Sequence, residues 1–253
     1  MTPRRVTIVE VGPRDGLQNE PARVTTADKI AFVDRLSAAR LPVIEVSAFV
    51  SPKWVPQMAD AAEVFAGITR AAGTRYTALV PNLAGLDRAI AAGVTEIAIF
   101  ASSTETFSRR NINQSIDDSL ATYKAVCDRA IAARLRVRGY LSTAFGCPFE
   151  GAVAPQQVAA VAARLLDLGV FEVAISDTIG IAHPGRCRRC SRRCSHGCRP
   201  IASRCTTTTH AARPSPTSSR RCPSASRPTT RRLAASAAAR TRRARPATWP
   251  PTI

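Results

Sequence analysis

Short apolar runs rich in Val and Ile recur along the first part of the chain, each followed by a helix-length segment with apolar residues three or four positions apart. This alternation is typical of parallel strands connected by helices. It predicts strands near Val6 to Val11, Val43 to Val46, Tyr76 to Val80, Glu96 to Ala101, Arg136 to Ser142 and Phe171 to Ser176. It predicts helices over Ala27 to Ala39, Leu86 to Ala92, Ser119 to Ala133 and Gln156 to Leu168. Strands so uniformly apolar are buried on both faces, which a closed barrel and an open α/β sheet both allow.

Charge divides the chain into two parts. All 18 Asp and Glu residues lie at or before Asp177, whereas the 36 Lys and Arg residues divide into 19 in residues 1–185 and 17 in residues 186–253. We therefore expect an α/β domain over residues 1–185 and an Arg/Ser/Thr/Pro/Cys-rich tail over residues 186–253. The tail has eight prolines, one glycine and few large apolar side chains, a composition that predicts disorder.

The start of the chain, MTPRRVTIVEVG, has no apolar signal-peptide core, and no stretch of about 20 apolar residues follows. Residues 1–185 contain two isolated cysteines, Cys127 and Cys147, a pattern that fits a reducing compartment. These features predict a cytoplasmic protein with no membrane partner.

Four charged residues lie within or directly after predicted strands. Arg14 and Asp15 follow the first strand, Glu45 interrupts the second, and Asp177 ends the sixth. In α/β folds, the carboxyl ends of parallel strands form the functional edge. Glu45 could also be a carboxylate paired with a nearby arginine, and Asp177 could cap the segment that follows it.

Several motifs closely resemble the hydroxymethylglutaryl-CoA lyase family. They are VEVGPRDGLQNE, VIEVSAFVSPKWVPQM at residues 43–58, VPNLAGL at 80–86, RRNINQSI at 109–116, RGYLSTAFGCPFEG at 138–151 and SDTIGIAHPG at 176–185. The resemblance implies an incomplete TIM barrel of about six βα units. It also implies a retro-Claisen cleavage of 3-hydroxy-3-methylglutaryl-CoA to acetyl-CoA and acetoacetate, as in leucine degradation and ketone body metabolism. Homo-oligomers are usual in the family.

The resemblance assigns roles to individual residues. Asp15 matches a carboxylate ligand of Mg²⁺ or Mn²⁺, a cation that would chelate the substrate and lower the pKa of its hydroxyl. Arg14 matches a guanidinium that stabilises the developing enolate, and Glu45 is a second catalytic candidate. The substrate-binding candidates are Gln18, Tyr140, Asn111 and Asp177. Tyr140 could instead pack in the barrel, and Asn111, with Arg109 and Arg110, lies in a predicted loop that could meet CoA phosphates or remain solvated.

The rest of the family's site is absent from this sequence. The family also has a His-x-His pair, an Asn and a GGLGGCPY loop, and none of them is found in residues 186–253. The abrupt change in composition indicates a frame shift. We back-translated the sequence with Arg, Ser and Leu as CGN, TCN and CTN and read it one base earlier. The codons from Cys205 through Ser218 can then encode L-H-Y-H-D-T-R-G-x-A-L-A-N-V, and those of Thr229 to Trp249 can encode G-G-L-G-G-C-P-Y followed by an Asn.

Three alternatives remain open. Cys187, Cys190, Cys194 and Cys198 are spaced closely enough to bind zinc. The basic tail could bind nucleic acid non-specifically through its charge, as a non-catalytic protein would. The barrel could also serve a related Claisen-type enzyme that acts on another acyl-CoA or on a 2-oxo acid.

Overall fold

The computed structural model describes residues 7–183, residues 185, 187 and 190, and the backbone of residues 204–206. The sequence-based prediction of a disordered tail falls almost entirely outside these residues, as do Cys194 and Cys198 of the zinc alternative. Over the part of the chain that is described, no helix is both long enough and apolar enough to cross a bilayer.

Seven parallel strands form one sheet, and their order in the sheet is their order in the chain. They are β1 (Val9–Glu10), β2 (Val43–Ala48), β3 (Arg75–Leu79), β4 (Glu96–Ser102), β5 (Arg136–Ser142), β6 (Glu172–Ser176) and β7 (Arg204–Thr206). A doubly wound sheet would reverse its strand order near the middle. The uninterrupted order is that of a (β/α) barrel, so the first six strands with their helices form an incomplete TIM barrel.

Helices connect the strands on the outside of the barrel. They are α1 (Thr26–Ala38), α2 (Ala61–Gly67), α3 (Leu83–Ala91), α4 (Glu105–Ile112), α5 (Ile116–Ala132) and α6 (Pro155–Asp167). Local sequence sets several of their starts. Ser115 and Asp118 form a reciprocal capping box at α5, and Pro155 occupies the first turn of α6, where a missing N–H costs nothing.

The core has two layers. The larger cluster packs one face of the strands against the helices, and it extends to Cys190, which is 3% exposed. The smaller cluster lies inside the barrel and includes Leu79, Ala98, Tyr140 and Ala174. Because side chains alternate along a strand, the inward positions of β2, β5 and β6 also carry buried charged residues, namely Glu45, Arg138 and Glu172.

The tail that was expected to be disordered includes one short strand, β7. β7 pairs in parallel with β6, with Ser176 opposite Thr206. Strand pairing uses backbone N–H and C=O groups, and the outer edge of β6 offers a row of them whatever the side chains of the partner are. Side-chain periodicity therefore gave no sign of these three residues.

The predicted loop at Arg109, Arg110 and Asn111 is also wrong, because all three lie in the last turn of α4. The helix ends at Asn113, whose left-handed φ of 54° suits an Asn C-cap. Glu105, in its first turn, accepts a hydrogen bond from the backbone N–H of Ile116 at 3.2 Å, which joins α4 to α5.

Candidate active site

One helical turn at Gly12–Gly16 follows β1 and carries Arg14 and Asp15. The backbone N–H of Gly12 donates to Glu10 Oε1 at 2.7 Å, and a Cβ on Gly12 would lie only 2.8 Å from the same oxygen. The N–H groups of Arg14 and Asp15 both donate to the carbonyl of Val11, at 3.1 and 2.7 Å. This tight turn holds both side chains at the carboxyl end of β1.

Arg14 is bound to two carboxylates. Its Nε donates to Glu45 Oε1, and its Nη1 donates to Asp15 Oδ1 at 2.9 Å. The Glu45 side chain is fully buried, whereas Arg14 and Asp15 are 12% and 18% exposed. Burial alone would lower the pKa of Arg14, but the charges of Glu45 and Asp15 outweigh it, and the net pKa is raised. Arg14 is therefore a permanent cation in a fixed orientation.

Tyr140 on β5 completes the coordination of Glu45. Its hydroxyl donates to Glu45 Oε2 at 2.7 Å, so each carboxylate oxygen of Glu45 has one partner. Burial raises the pKa of Tyr140, and the negative charge of Glu45 raises it further, although Arg138 and Arg14 oppose this effect. Tyr140 is thus a neutral hydrogen-bond donor that lies inside the barrel and is bound to Glu45.

Glu45 lies deeper than the strand-end pattern suggests. It is the third residue of β2, opposite Thr77 of β3, and points into the barrel. The alternative that Glu45 pairs with an arginine is confirmed, and its partner is the candidate catalytic Arg14. A carboxylate with no exposed surface, held by a guanidinium and a phenol, orients both of them.

Asp177 directly follows β6 and is 1% exposed. Its two oxygens accept the backbone N–H groups of Ile181 and Ala182, at 3.2 and 2.7 Å. It therefore stabilises the loop over residues 178–182. Asp177 accepts backbone N–H groups as a helix cap does, but the segment that follows it is not a helix. The structure places Asp177 at the same edge as Arg14, with no hydrogen bond between them in the described part of the chain.

The two remaining substrate candidates lie apart from this cluster. The Oε1 atom of Gln18 is buried and has no hydrogen-bond partner among the described residues. Asn111 is half-buried near the end of α4. Sequence reasoning overlooked Arg138 and Glu172, which enter the barrel beside Tyr140. Their signal was present, because charged residues at inward positions of apolar strands are rarely without a partner.

The described residues do not form a metal centre by themselves. They contain no group of three or more His, Cys, Asp or Glu side chains able to hold an ion. Asp15 offers one carboxylate at the functional edge, while both oxygens of Glu45 are bound to protein donors. Mg²⁺ requires a near-octahedral set of ligands, and one carboxylate does not supply it.

Comparison with known proteins gives a consistent result. A family model described as HMGL-like matches residues 5–212. The 3-hydroxy-3-isohexenylglutaryl-CoA/hydroxy-methylglutaryl-CoA lyase of Pseudomonas aeruginosa is 55% identical over 187 residues, covering 74% of this chain and 62% of that protein. The mitochondrial hydroxymethylglutaryl-CoA lyase of Rattus norvegicus is 52% identical over 183 residues, covering 72% of this chain and 56% of that protein.

Solved structures agree. The crystal structure of the Pseudomonas aeruginosa hydroxymethylglutaryl-CoA lyase matches with a TM-score of 0.75 at 53% identity, covering 77% of this chain and 65% of that one. An HMG-CoA lyase from Acinetobacter baumannii, in complex with coenzyme A and 3-methylmalate, matches with a TM-score of 0.71 at 35% identity, covering 75% and 63%. The chain thus spans less than two thirds of the length of these relatives.

Proposed function

Because this chain belongs to the HMGL-like family, we propose that its barrel is the larger part of a carbon–carbon lyase. The reaction is the retro-Claisen cleavage of 3-hydroxy-3-methylglutaryl-CoA into acetyl-CoA and acetoacetate. One observation carries the proposal: Arg14, a buried permanent cation, is fixed by Glu45 and Asp15 at the carboxyl end of β1.

Arg14 is suited to the charge that this cleavage develops. As the carbon–carbon bond breaks, negative charge moves onto the thioester oxygen and an enolate forms. The contacts with Glu45 and Asp15 use Nε and Nη1, which leaves Nη2 as a donor for that oxygen. A donor already held in place stabilises the transition state without reorganising. Such preorganised electrostatic stabilisation is usually the largest single contribution to an enzyme's rate enhancement.

We propose that the other candidates contribute to the same site. We propose that Glu45 orients Arg14, and that Tyr140 bounds the substrate site beside it. We propose that the Oε1 atom of Gln18, which is buried without a partner among the described residues, accepts a hydrogen bond from substrate. Asp177 shapes the adjoining loop, and Asn111 binds the CoA portion from α4.

We propose that Mg²⁺ or Mn²⁺ uses Asp15 as one ligand and that the remaining ligands are encoded in another frame. The shifted reading places its two histidines across the codons of Cys205 to Thr208. The structure supports this position, since β7 ends at Thr206, opposite Ser176 at the end of β6. In a parallel barrel the carboxyl ends of all strands, that of β7 included, lie at the same edge as Asp15.

It follows that residues 186–253 as written do not complete the site, and that this chain is inactive as a lyase. Loss of a single acid–base group costs roughly 10²- to 10⁴-fold in rate. Loss of most of a metal site as well removes the activity. Resequencing the coding DNA across Pro184 to Cys187 tests the shift itself.

The substrate class follows from the relatives. The Acinetobacter baumannii structure contains coenzyme A, which supports an acyl-CoA substrate for this site. The name of the Pseudomonas aeruginosa relative includes a second, longer substrate, 3-hydroxy-3-isohexenylglutaryl-CoA. Both acyl-CoA compounds are therefore the substrates to assay.

To test the proposal, the reading frame of the coding DNA is shifted by one base, and the resulting protein is assayed for acetoacetate release in the presence of Mg²⁺ or Mn²⁺. Arg14→Gln should lower kcat by at least about 10²-fold, as expected when one stabilising donor is lost. Asp128→Asn, on the exposed face of α5, is the matched control and should retain activity. A fully active Arg14→Gln protein would exclude the proposed role.

A further inference from the structure

Two buried charged side chains enter the barrel from β5 and β6. Arg138 of β5 and Glu172 of β6 are 4% and 8% exposed, and they face each other in the strand register. Arg138 Nη2 lies 2.9 Å from Glu172 Oε1, so the two form a buried ion pair. Neither residue has a role in the function proposed above.

Arg138 also contacts Tyr140, two residues further along β5 on the same face. Its Nη1 donates to the phenol oxygen at 3.2 Å, and its guanidinium carbon lies 5.0 Å from the centre of the ring. A tyrosine hydroxyl has one proton and accepts through its lone pairs. Because Arg138 occupies the accepting side of the oxygen, the proton is directed to Glu45 Oε2, 2.7 Å away.

These contacts form one continuous chain across three strands. Glu172 binds Arg138, Arg138 binds Tyr140, Tyr140 binds Glu45, and Glu45 binds Arg14. We infer that Arg138, held by Glu172, is a positioning residue that fixes the orientation of Arg14 through Tyr140 and Glu45. Only the importance of Arg14 rests on the proposed function; the positioning itself is a property of the folded chain.

A second buried carboxylate provides the comparison. Glu96 on β4 is 3% exposed and pairs with Arg75 at 2.8 Å and with Arg136 at 3.3 Å. Like Glu172, it is a buried strand residue paired with arginine. Its two partners are not in the chain of contacts that leads to Glu45, so Glu96 should contribute stability without orienting Arg14.

The experiment observes Arg14 directly in the full chain, without substrate. The ¹H–¹⁵N NMR signal of the Arg14 Nε–H group is assigned by its loss in Arg14→Lys, and its hydrogen exchange with solvent is measured. In the unmodified chain this buried, ion-paired proton should exchange slowly. Arg138→Gln and Glu172→Gln should each accelerate its exchange roughly tenfold or more, the factor expected when a charged hydrogen bond is lost.

The controls separate positioning from general stability. Glu96→Gln should leave the exchange of Arg14 Nε–H unchanged, and Arg138→Lys, which retains a charged donor, should partly restore the slow exchange. Backbone amide signals of β4 in the same spectra report whether the barrel is intact. If Arg138→Gln does not fold, the nearly isosteric Glu172→Gln decides the question.

Slow exchange of Arg14 in a folded Glu172→Gln protein would overturn the inference. Equal acceleration by Glu96→Gln would also overturn it, since any loss of stability would then suffice. Because no turnover is measured, these outcomes are distinguishable from a failure of the proposed lyase function.

Discussion

Removal of the Glu45 carboxylate should strongly destabilise the folded chain. In Glu45→Ala, the guanidinium of Arg14 loses its buried partner, with only 12% of its side chain exposed to water, and the Tyr140 hydroxyl loses its acceptor. Breaking one side of a buried ion pair typically costs about 3–5 kcal/mol. We therefore expect the free energy of unfolding to fall by about this amount, a large part of the total stability of a domain.

The measurement is urea unfolding of the full chain, followed by far-ultraviolet circular dichroism. Asp128→Asn is the control, because it removes a carboxylate whose partner Lys124 lies 2.7 Å away but whose side chain is 60% exposed. Exposed pairs of this kind contribute about 0.3–0.5 kcal/mol. Glu45→Gln, which keeps an accepting oxygen, should fall between the two. Equal costs for Glu45→Ala and Asp128→Asn would refute the buried network described above.

Two further predictions concern the packing of the barrel. Gly85→Ala should lower the free energy of unfolding by about 1–3 kcal/mol in the same urea assay, because the added Cβ would lie 2.5 Å from the carbonyl oxygen of Phe49. This cost should exceed the gain from the higher helix propensity of Ala. A stabilised variant would contradict the close approach of Gly85 to Phe49. Cys127 is fully buried, and burial raises its pKa to about 12, so iodoacetamide should label it only once urea unfolds the domain. Mass spectrometry of the Cys127 peptide measures this, and rapid labelling in native buffer would show that α5 is not packed as described.

The strands could be predicted because their burial on both faces requires continuous runs of apolar residues. Most helices could be predicted because their apolar residues recur three or four positions apart. The predicted strand from Arg136 to Ser142 coincides with β5, and the other predicted strands overlap the observed ones. The helix α4 could not be found in this way, since only Phe107 and Ile112 among its eight residues are large and apolar. Its end depends on the left-handed conformation of Asn113, and its attachment to α5 depends on Glu105.

The candidate site could be predicted only in part. The resemblance identified Arg14 and Asp15, and Glu45 was recognised because it interrupts an apolar strand; the structure joins the three by hydrogen bonds. Arg138 and Glu172 were overlooked, although both interrupt apolar strands, because a charge in a strand is ordinarily taken as a solvent-exposed position. Their burial becomes evident only when the register of β5 and β6 brings them opposite each other.

We propose that this barrel carries the first part of a lyase site and that the remaining site residues are encoded in another reading frame. The most direct test compares the chain as written with the same chain restored by one base, assayed side by side for acetoacetate release from 3-hydroxy-3-methylglutaryl-CoA with Mg²⁺ or Mn²⁺. We expect activity from the restored protein alone, and its loss on Asp15→Ala. Comparable activity in the chain as written would mean that the chemistry does not depend on the site described here.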